Sequence, residues 1–176
     1  MKQLRFIVVA GMLLSPAMLR AADPFLGKWN FDARGSKYSA GSYPRQMTIE
    51  MRRAVHGVHY HSETQLTNGR LVSADYTADY DGKPVIVIGA KGMLLPVSLK
   101  RTGPNIVVAT YSSGFQIVAT SRRVVSTDGS VMTITTTSQD ASGKTVTNVG
   151  LYRKTNSELV GDFDLSKART DLLVPK

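Results

Sequence analysis

The sequence predicts an all-β domain of about ten antiparallel strands wound into an up-and-down barrel. Three observations carry this expectation. From Phe25 onward, short runs rich in Val, Ile, Thr and Tyr recur with a turn signal after each. Asn68-Gly69 and Asp81-Gly82 are dipeptides that accept positive φ at both centres of a two-residue hairpin. No stretch between Phe25 and Lys154 keeps a helical apolar period over a useful length.

The runs fall at 25–32, 46–53, 57–66, 70–80, 84–89, 95–102, 105–111, 115–125, 130–139 and 145–154. Looser turn signals at Thr102-Gly103-Pro104-Asn105, Asp128-Gly129 and Ser142-Gly143 join the later ones. So many tight turns imply that each strand pairs antiparallel with its sequence neighbours. Alternation sets the faces: Met47, Ile49 and Met51 share one side of their strand, with Thr48, Glu50 and Arg52 on the other. Val72, Ala74, Tyr76, Ala78 and Tyr80 likewise oppose Ser73, Asp75, Thr77 and Asp79. A long meander has two edges to protect, and closure removes them, so a barrel is expected over an open sandwich. Residues 33–45, rich in Gly, Ser and Tyr, read as a long loop at the rim.

The ends of the chain read differently. Lys2 and Arg5 precede an apolar run from Phe6 to Leu14, followed by small residues at Ser15-Pro16-Ala17 and Ala21-Ala22. That order is a secretory signal peptide, and the run is too short to span a bilayer. The expected organisation is a signal peptide at 1–22, a barrel at 23–154 and a C-terminal tail at 155–176. In the tail, Phe163, Leu165, Leu172 and Leu173 are irregularly spaced, which leaves open a short docked helix after Asp164 or a loose segment. The chain has no Cys, which excludes disulfides, thiol nucleophiles, Cys metal sites and a lipid-modified N-terminal Cys. Export without disulfides suits a bacterial periplasm or exterior. The formal charge is +9, and about +6 remains without Lys2, Arg5 and Arg20. The basic residues are scattered over many strands, so nucleic acid is not expected as a partner.

No catalytic constellation is present. No Ser sits in a Gly-x-Ser-x-Gly elbow, and the three histidines lie close together, between His56 and His61. On a strand, His59, His61 and Glu63 share one face, a spacing that can present two imidazoles and a carboxylate to a metal. Val58 and Tyr60 are the better core residues of that strand, so the histidines are expected on a solvated outer face without a metal. Asp75 and Asp79 belong to a polar face, and Asp81 and Asp128 serve turns. Arg122 and Arg123 are adjacent on a strand and must point to opposite faces. One of them therefore enters the barrel, where it needs an anion or carbonyl oxygens.

Several segments also resemble a known family. Phe25-Leu26-Gly27-Lys28-Trp29 resembles the opening Gly-x-Trp strand of the calycins, the superfamily of lipocalins and fatty-acid-binding proteins. Ser121 to Val125, Met132-Thr133-Ile134-Thr135 and Leu151-Tyr152-Arg153-Lys154 resemble the closing strands of the fatty-acid-binding type. The chain is also similar to exported bacterial lipocalin-like proteins. The resemblance implies a cavity for a small apolar ligand, Trp29 inward near the closed end, and Arg122 with Tyr152 forming an anion clamp inside. Two departures stand out. Gly150 takes the place of the clamp's second arginine, and loop 33–45 stands where a helical lid would be. One cation must then serve any acidic head, so neutral or singly polar amphipaths are expected to bind better than fatty acids.

The function expected is non-catalytic binding of a small apolar or amphipathic ligand in a barrel cavity, in the cell envelope. The ligand-binding residues expected are Trp29, Tyr60, Tyr76, Arg122 and Tyr152, with no metal and no cofactor. The mature chain is expected to be a periplasmic or secreted monomer without a membrane-spanning segment. The alternative is a structural module with a filled core, acting through its basic surface on envelope polyanions.

Overall fold

The computed structural model describes residues 23–39 and 43–155. The signal peptide expected at 1–22 and the tail beyond Thr155 lie outside the described residues. In chain order the strands are β1 (Gly27–Lys37), β2 (Pro44–Arg53), β3 (Val58–Leu66), β4 (Leu71–Ala78), β5 (Asp81–Val85) and β6 (Ile88–Gly89). They continue with β7 (Gly92–Met93), β8 (Val97–Gly103), β9 (Ile106–Ser113), β10 (Gln116–Val125), β11 (Val131–Gln139) and β12 (Thr145–Thr155). All pairings are antiparallel, in one 12-stranded sheet of order β5-β8-β9-β10-β11-β12-β1-β2-β3-β4-β6-β7. β12 pairs with β1, and the sheet curls around one core to which nearly every strand contributes. Among the described residues no helix is long and apolar enough to cross a membrane.

The all-β meander expected from the sequence is present, with twelve strands rather than about ten. The run expected at 84–89 divides into β5 and β6, and Gly92-Met93 adds the short β7. A larger correction concerns neighbour pairing. β4 and β5 do not pair; β5 pairs with β8, and β4 meets β6 through Asp75 opposite Ile88. Asp81-Gly82 is therefore not a hairpin turn. The Asp81 carboxylate accepts the Lys83 N–H at 2.9 Å, and Gly82 at φ 88° redirects the chain toward β8. Pro84, which cannot donate to a ladder, sits in β5 at the sheet edge, where proline is tolerated. The hydrogen-bonded ladder is thus interrupted between β4 and β5, and the β6–β7 hairpin lies against β4 beside the gap.

Residues 33–37, expected as loop, continue β1 through a bulge in which Asp32 faces Leu151 but Lys37 faces Val149. Asp32 Oδ1 accepts the N–H of Arg34 at 3.1 Å, and Ser36 Oγ accepts the N–H of Leu151 at 2.9 Å. Side-chain oxygens replace the missing ladder partners, so a loop-like composition still forms strand.

The closed end is tightly sealed. Trp29 is fully buried, and its Nε1 donates to the carbonyl of Phe25 at 2.9 Å. Lys154 Nζ lies 4.8 Å from the Trp29 ring and donates to the carbonyl of Pro24 at 3.1 Å. Arg101 pairs with Asp23 and stacks over Tyr80 at 4.1 Å, so its charge is compensated. Ile49, Met51, Val58, Leu99, Val107 and Met132 fill the interior around them. Gly57 makes the β2–β3 turn possible: its φ is 68°, and a Cβ there would lie 2.1 Å from the carbonyl oxygen of Ala78.

Candidate functional site

The hairpin Ser126 to Val131 fixes which arginine enters the barrel. Ser126 N–H bonds the carbonyl of Val131 at 2.8 Å, which sets Val125 opposite Met132 and Arg123 opposite Ile134. Met132 is fully buried, so Val125, Arg123 and Ser121 share the inner face. Arg122, paired with Thr135 and Val108, lies on the exposed outer face. The anchor expected at Arg122 is therefore Arg123, one residue along, because a shift of one position exchanges the two faces of a strand.

Arg123 is 3% exposed and reaches across the barrel from β10 to β3, β4 and β9. Its Nη2 donates to the hydroxyls of Tyr76 at 3.1 Å and Tyr111 at 3.3 Å. The guanidinium carbon lies 5.1 Å from the centre of the Tyr60 ring, which stacks on Tyr76 at 4.7 Å. Among the described residues no carboxylate lies within 4 Å of this guanidinium, and its Nε is buried without a partner. Arginine stays charged at any ordinary pH. Burial pushes the phenol of Tyr60 up and that of Tyr76 well above its usual range, against the pull of Arg123. Both rings stay neutral, and the Tyr76 hydroxyl, which accepts from Arg123, keeps its own proton to donate. The result is a buried cation framed by neutral hydroxyls.

The wall formed by β12 and β1 is aromatic. Tyr152 is buried, donates to Met47 Sδ at 3.3 Å and packs on Phe31 at 5.6 Å. Tyr38, just past β1, packs edge-on to Phe31 at 5.9 Å and stacks on Tyr43 at 5.8 Å. Its hydroxyl lies 2.8 Å from where a Cβ on Gly150 would be. Gly150, expected as a vacated arginine position, is therefore the seat of Tyr38.

The structure brings Tyr60 and Tyr76 together with an arginine and sets Tyr152 on β12, two strands from that arginine. Trp29 belongs to the closed-end seal rather than to this group. Sequence reasoning missed the roles of Arg123, Tyr111 and Tyr38. The register of the Ser126–Val131 hairpin against the alternating Met132 and Ile134 was the signal that could have found Arg123.

The histidines are less solvated than expected. His59 is outward yet 8% exposed, with Nδ1 3.2 Å from Thr77 Oγ1 and Nε2 3.5 Å from Asp75. His61 Nδ1 meets the same carboxylate at 3.0 Å. Among the described residues no group of three or more His, Cys, Asp or Glu side chains is placed to hold a metal ion. A cleft of about 1070 Å³ runs beneath the closed end beside Arg53, His56, Tyr80 and Arg101. Its half-buried Arg101 already has Asp23, so the unmet charge lies inside the barrel instead.

No family model matches the chain, and no curated protein matches it in sequence. Among solved structures, the fold is similar to zebrafish ileal bile acid-binding protein complexed with cholic acid. That likeness has a TM-score of 0.50 at 16% identity and covers 75% of this chain and 99% of that one. A de novo designed fluorescence-activating β-barrel is also similar, with a TM-score of 0.36 at 17% identity, covering 78% of this chain and all of that one. The first likeness agrees with the antiparallel β-barrel fold expected from the sequence.

Proposed function

We propose that this barrel binds, without chemistry, a small amphipathic ligand that carries one carboxylate or a comparable anionic head. One observation carries the reading: Arg123 is a buried cation with no carboxylate partner among the described residues and an unsatisfied Nε. An uncompensated charge in a protein interior is costly, and chains that keep one generally use it. The free edge of the guanidinium suits a carboxylate, which can accept two parallel N–H bonds. Tyr76 and Tyr111 hold the guanidinium in place, and the Tyr76 hydroxyl is positioned to donate to the same head. Such a charge-assisted bond contributes about 1.5–3 kcal/mol. The ligand's apolar part, against the aromatic wall of Phe31 and Tyr152, adds about 0.8 kcal/mol per buried CH₂.

The same reading makes the protein an exported monomer that meets its ligand in the cell envelope once residues 1–22 are removed. Lys2, Arg5 and the apolar run after them support this, as does the lack of Cys. N-terminal sequencing of envelope protein should find the first residue between Met18 and Asp23; a chain still starting at Met1 rules export processing out.

The ligand reading is tested by displacement of a fluorescent fatty-acid analogue from wild type, Arg123→Met and Arg122→Met. Wild type and Arg122→Met should take up the probe, and Arg123→Met should bind it at least tenfold more weakly. Absence of uptake in all three means a filled barrel. Equal uptake in all three means a cavity whose anchor is not Arg123.

A further inference from the structure

We infer that the open rim of the barrel docks on an anionic lipid bilayer. The observation is a joint asymmetry of apolar surface and charge. Among the described residues, every exposed large apolar side chain except Val55 and Val118 lies at the connections of the open end or on the β5–β8 excursion. Leu71 follows the β3–β4 turn, Ile88, Met93 and Leu95 belong to the excursion, and Phe115 and Ile117 flank the start of β10. Phe115 is fully exposed at the tip of its turn, beside Gly114 at φ 57°.

Hydrogen bonds join these connections into one arc. Thr67 N–H bonds Tyr43 O at 2.9 Å, Ala90 N–H bonds Ser73 Oγ at 2.9 Å, and Ser112 N–H bonds Pro96 O at 3.1 Å. The arc runs from Tyr43 past Leu71 and the β6–β7 hairpin to Phe115. An apolar surface of that extent marks an interaction site on a protein that has one.

Charge selects the occupant. The described residues of the same connections expose Lys37, Arg45, Arg70, Lys91 and Lys144. Of the acids there, Asp140 is engaged by the N–H groups of Ser142 at 2.9 Å and Lys144 at 3.0 Å, and Asp81 at the start of β5 pairs with Lys83 at 3.0 Å. Glu63 on β3 is exposed, and the cations remain in excess. The closed end, by contrast, mixes Arg53 and Arg101 with Asp23, Asp79 and Asp128. A second copy of the chain docked rim to rim would set the same cations against one another. Anionic headgroups complement them, and the apolar tips enter the boundary between headgroups and acyl chains.

The test is co-sedimentation with vesicles of phosphatidylcholine alone and of equal parts phosphatidylcholine and phosphatidylglycerol. All variants keep the same N-terminus, so any contribution of residues 1–22 cancels. Wild type should bind the anionic vesicles, release them at high salt and leave the neutral ones. Arg70→Glu and Lys91→Glu should each weaken binding by about fivefold or more. Phe115→Ser combined with Ile117→Ser should weaken it by about tenfold or more. All four substitutions are on exposed positions, and an unchanged denaturation midpoint confirms intact folding. Equal binding to neutral vesicles, binding that survives all the variants, or no binding at all overturns the proposal. So does a dimer in light scattering that Phe115→Ser abolishes, which would make a second copy the occupant. The inference does not rest on the ligand reading, because probe affinity in vesicle-free solution is a separate measurement.

Discussion

Arg123 and Tyr76 meet across the barrel, with Nη2 donating to the phenol oxygen at 3.1 Å, although their strands are far apart in both sequence and sheet order. The contact joins a charged side chain to a hydroxyl where a carboxylate would ordinarily be found. Arg101 of β8, which like Arg123 sits opposite Val107 of β9, has the ordinary arrangement, paired with Asp23. Two internal arginines in one barrel, one neutralised by its own chain and one not, separate the structural cation from the one left for a ligand.

That contrast predicts opposite stability effects. Asp23→Asn leaves Arg101 without its anion and should cost about 1.5–3 kcal/mol, the range for a charge-assisted hydrogen bond in a partly buried pair. Arg123→Met removes a buried charge that has no anion, so ligand-free stability should stay within about 1 kcal/mol of wild type or rise. Urea denaturation of both variants makes the comparison. A loss from Arg123→Met as large as that from Asp23→Asn would make Arg123 a structural residue.

Trp29 anchors the sealed end, fully buried and hydrogen-bonded to Phe25. Trp29→Ala should cost about 3–5 kcal/mol through lost transfer free energy and the cavity left behind. The denaturation midpoint is the readout, and a midpoint that barely moves would contradict the packing described.

His59 makes stability depend on pH. Burial above all holds its imidazole below the usual 6.5; Asp75 opposes this, while His61 and Arg52 reinforce it. A base whose pKa falls on folding binds fewer protons in the folded state than in the unfolded one. Its contribution is therefore complete above pH 6.5 and is lost as pH falls from 6.5 toward the lowered folded value. Wild type should lose stability between about pH 7 and pH 5, and His59→Gln should flatten that slope. Parallel slopes for the two proteins would assign the dependence to other groups.

Much of this architecture could be read from local chemistry, and the failures share one cause. Asn68-Gly69 does close β3 onto β4, though through a three-residue loop from Thr67 in which only Gly69 takes positive φ, and the Met47, Ile49, Met51 alternation does face the core, because each signal lies within one strand or turn. Asp81-Gly82 carries the same local signal yet makes no hairpin, since β8 and not β4 is the partner of β5. Partner choice is decided by distant residues. Arg122 and Arg123 were ambiguous because Val124 and Val125, both apolar, give β10 no alternation of its own. Only pairing with Met132 and Ile134 orients it. In residues 33–37, Gly and Ser suggested a loop, but Asp32 and Ser36 supply from their side chains the bonds that a regular ladder lacks.

Gly150 offers the sharpest test of how the aromatic wall is built. A Cβ at this position would lie 2.8 Å from the Tyr38 hydroxyl and 2.9 Å from Cε2 of Tyr152, both too close to keep. The two tyrosines are not equally free to yield. Tyr152 is held on β12 between Met47 and Phe31, whereas Tyr38 is half-buried beyond the end of β1. Gly150→Ala should therefore expel Tyr38 and shift Tyr152 slightly, at a cost of about 1–3 kcal/mol from overpacking. If Tyr38 occupies the space above Gly150, removing it relieves most of the clash. In a Tyr38→Ala background, then, Gly150→Ala should cost markedly less than in wild type, with a coupling energy of at least about 0.5 kcal/mol. Denaturation of wild type, both single variants and the double variant completes the cycle. Strictly additive costs would mean that the two positions do not touch, and that Tyr38 is not part of the wall.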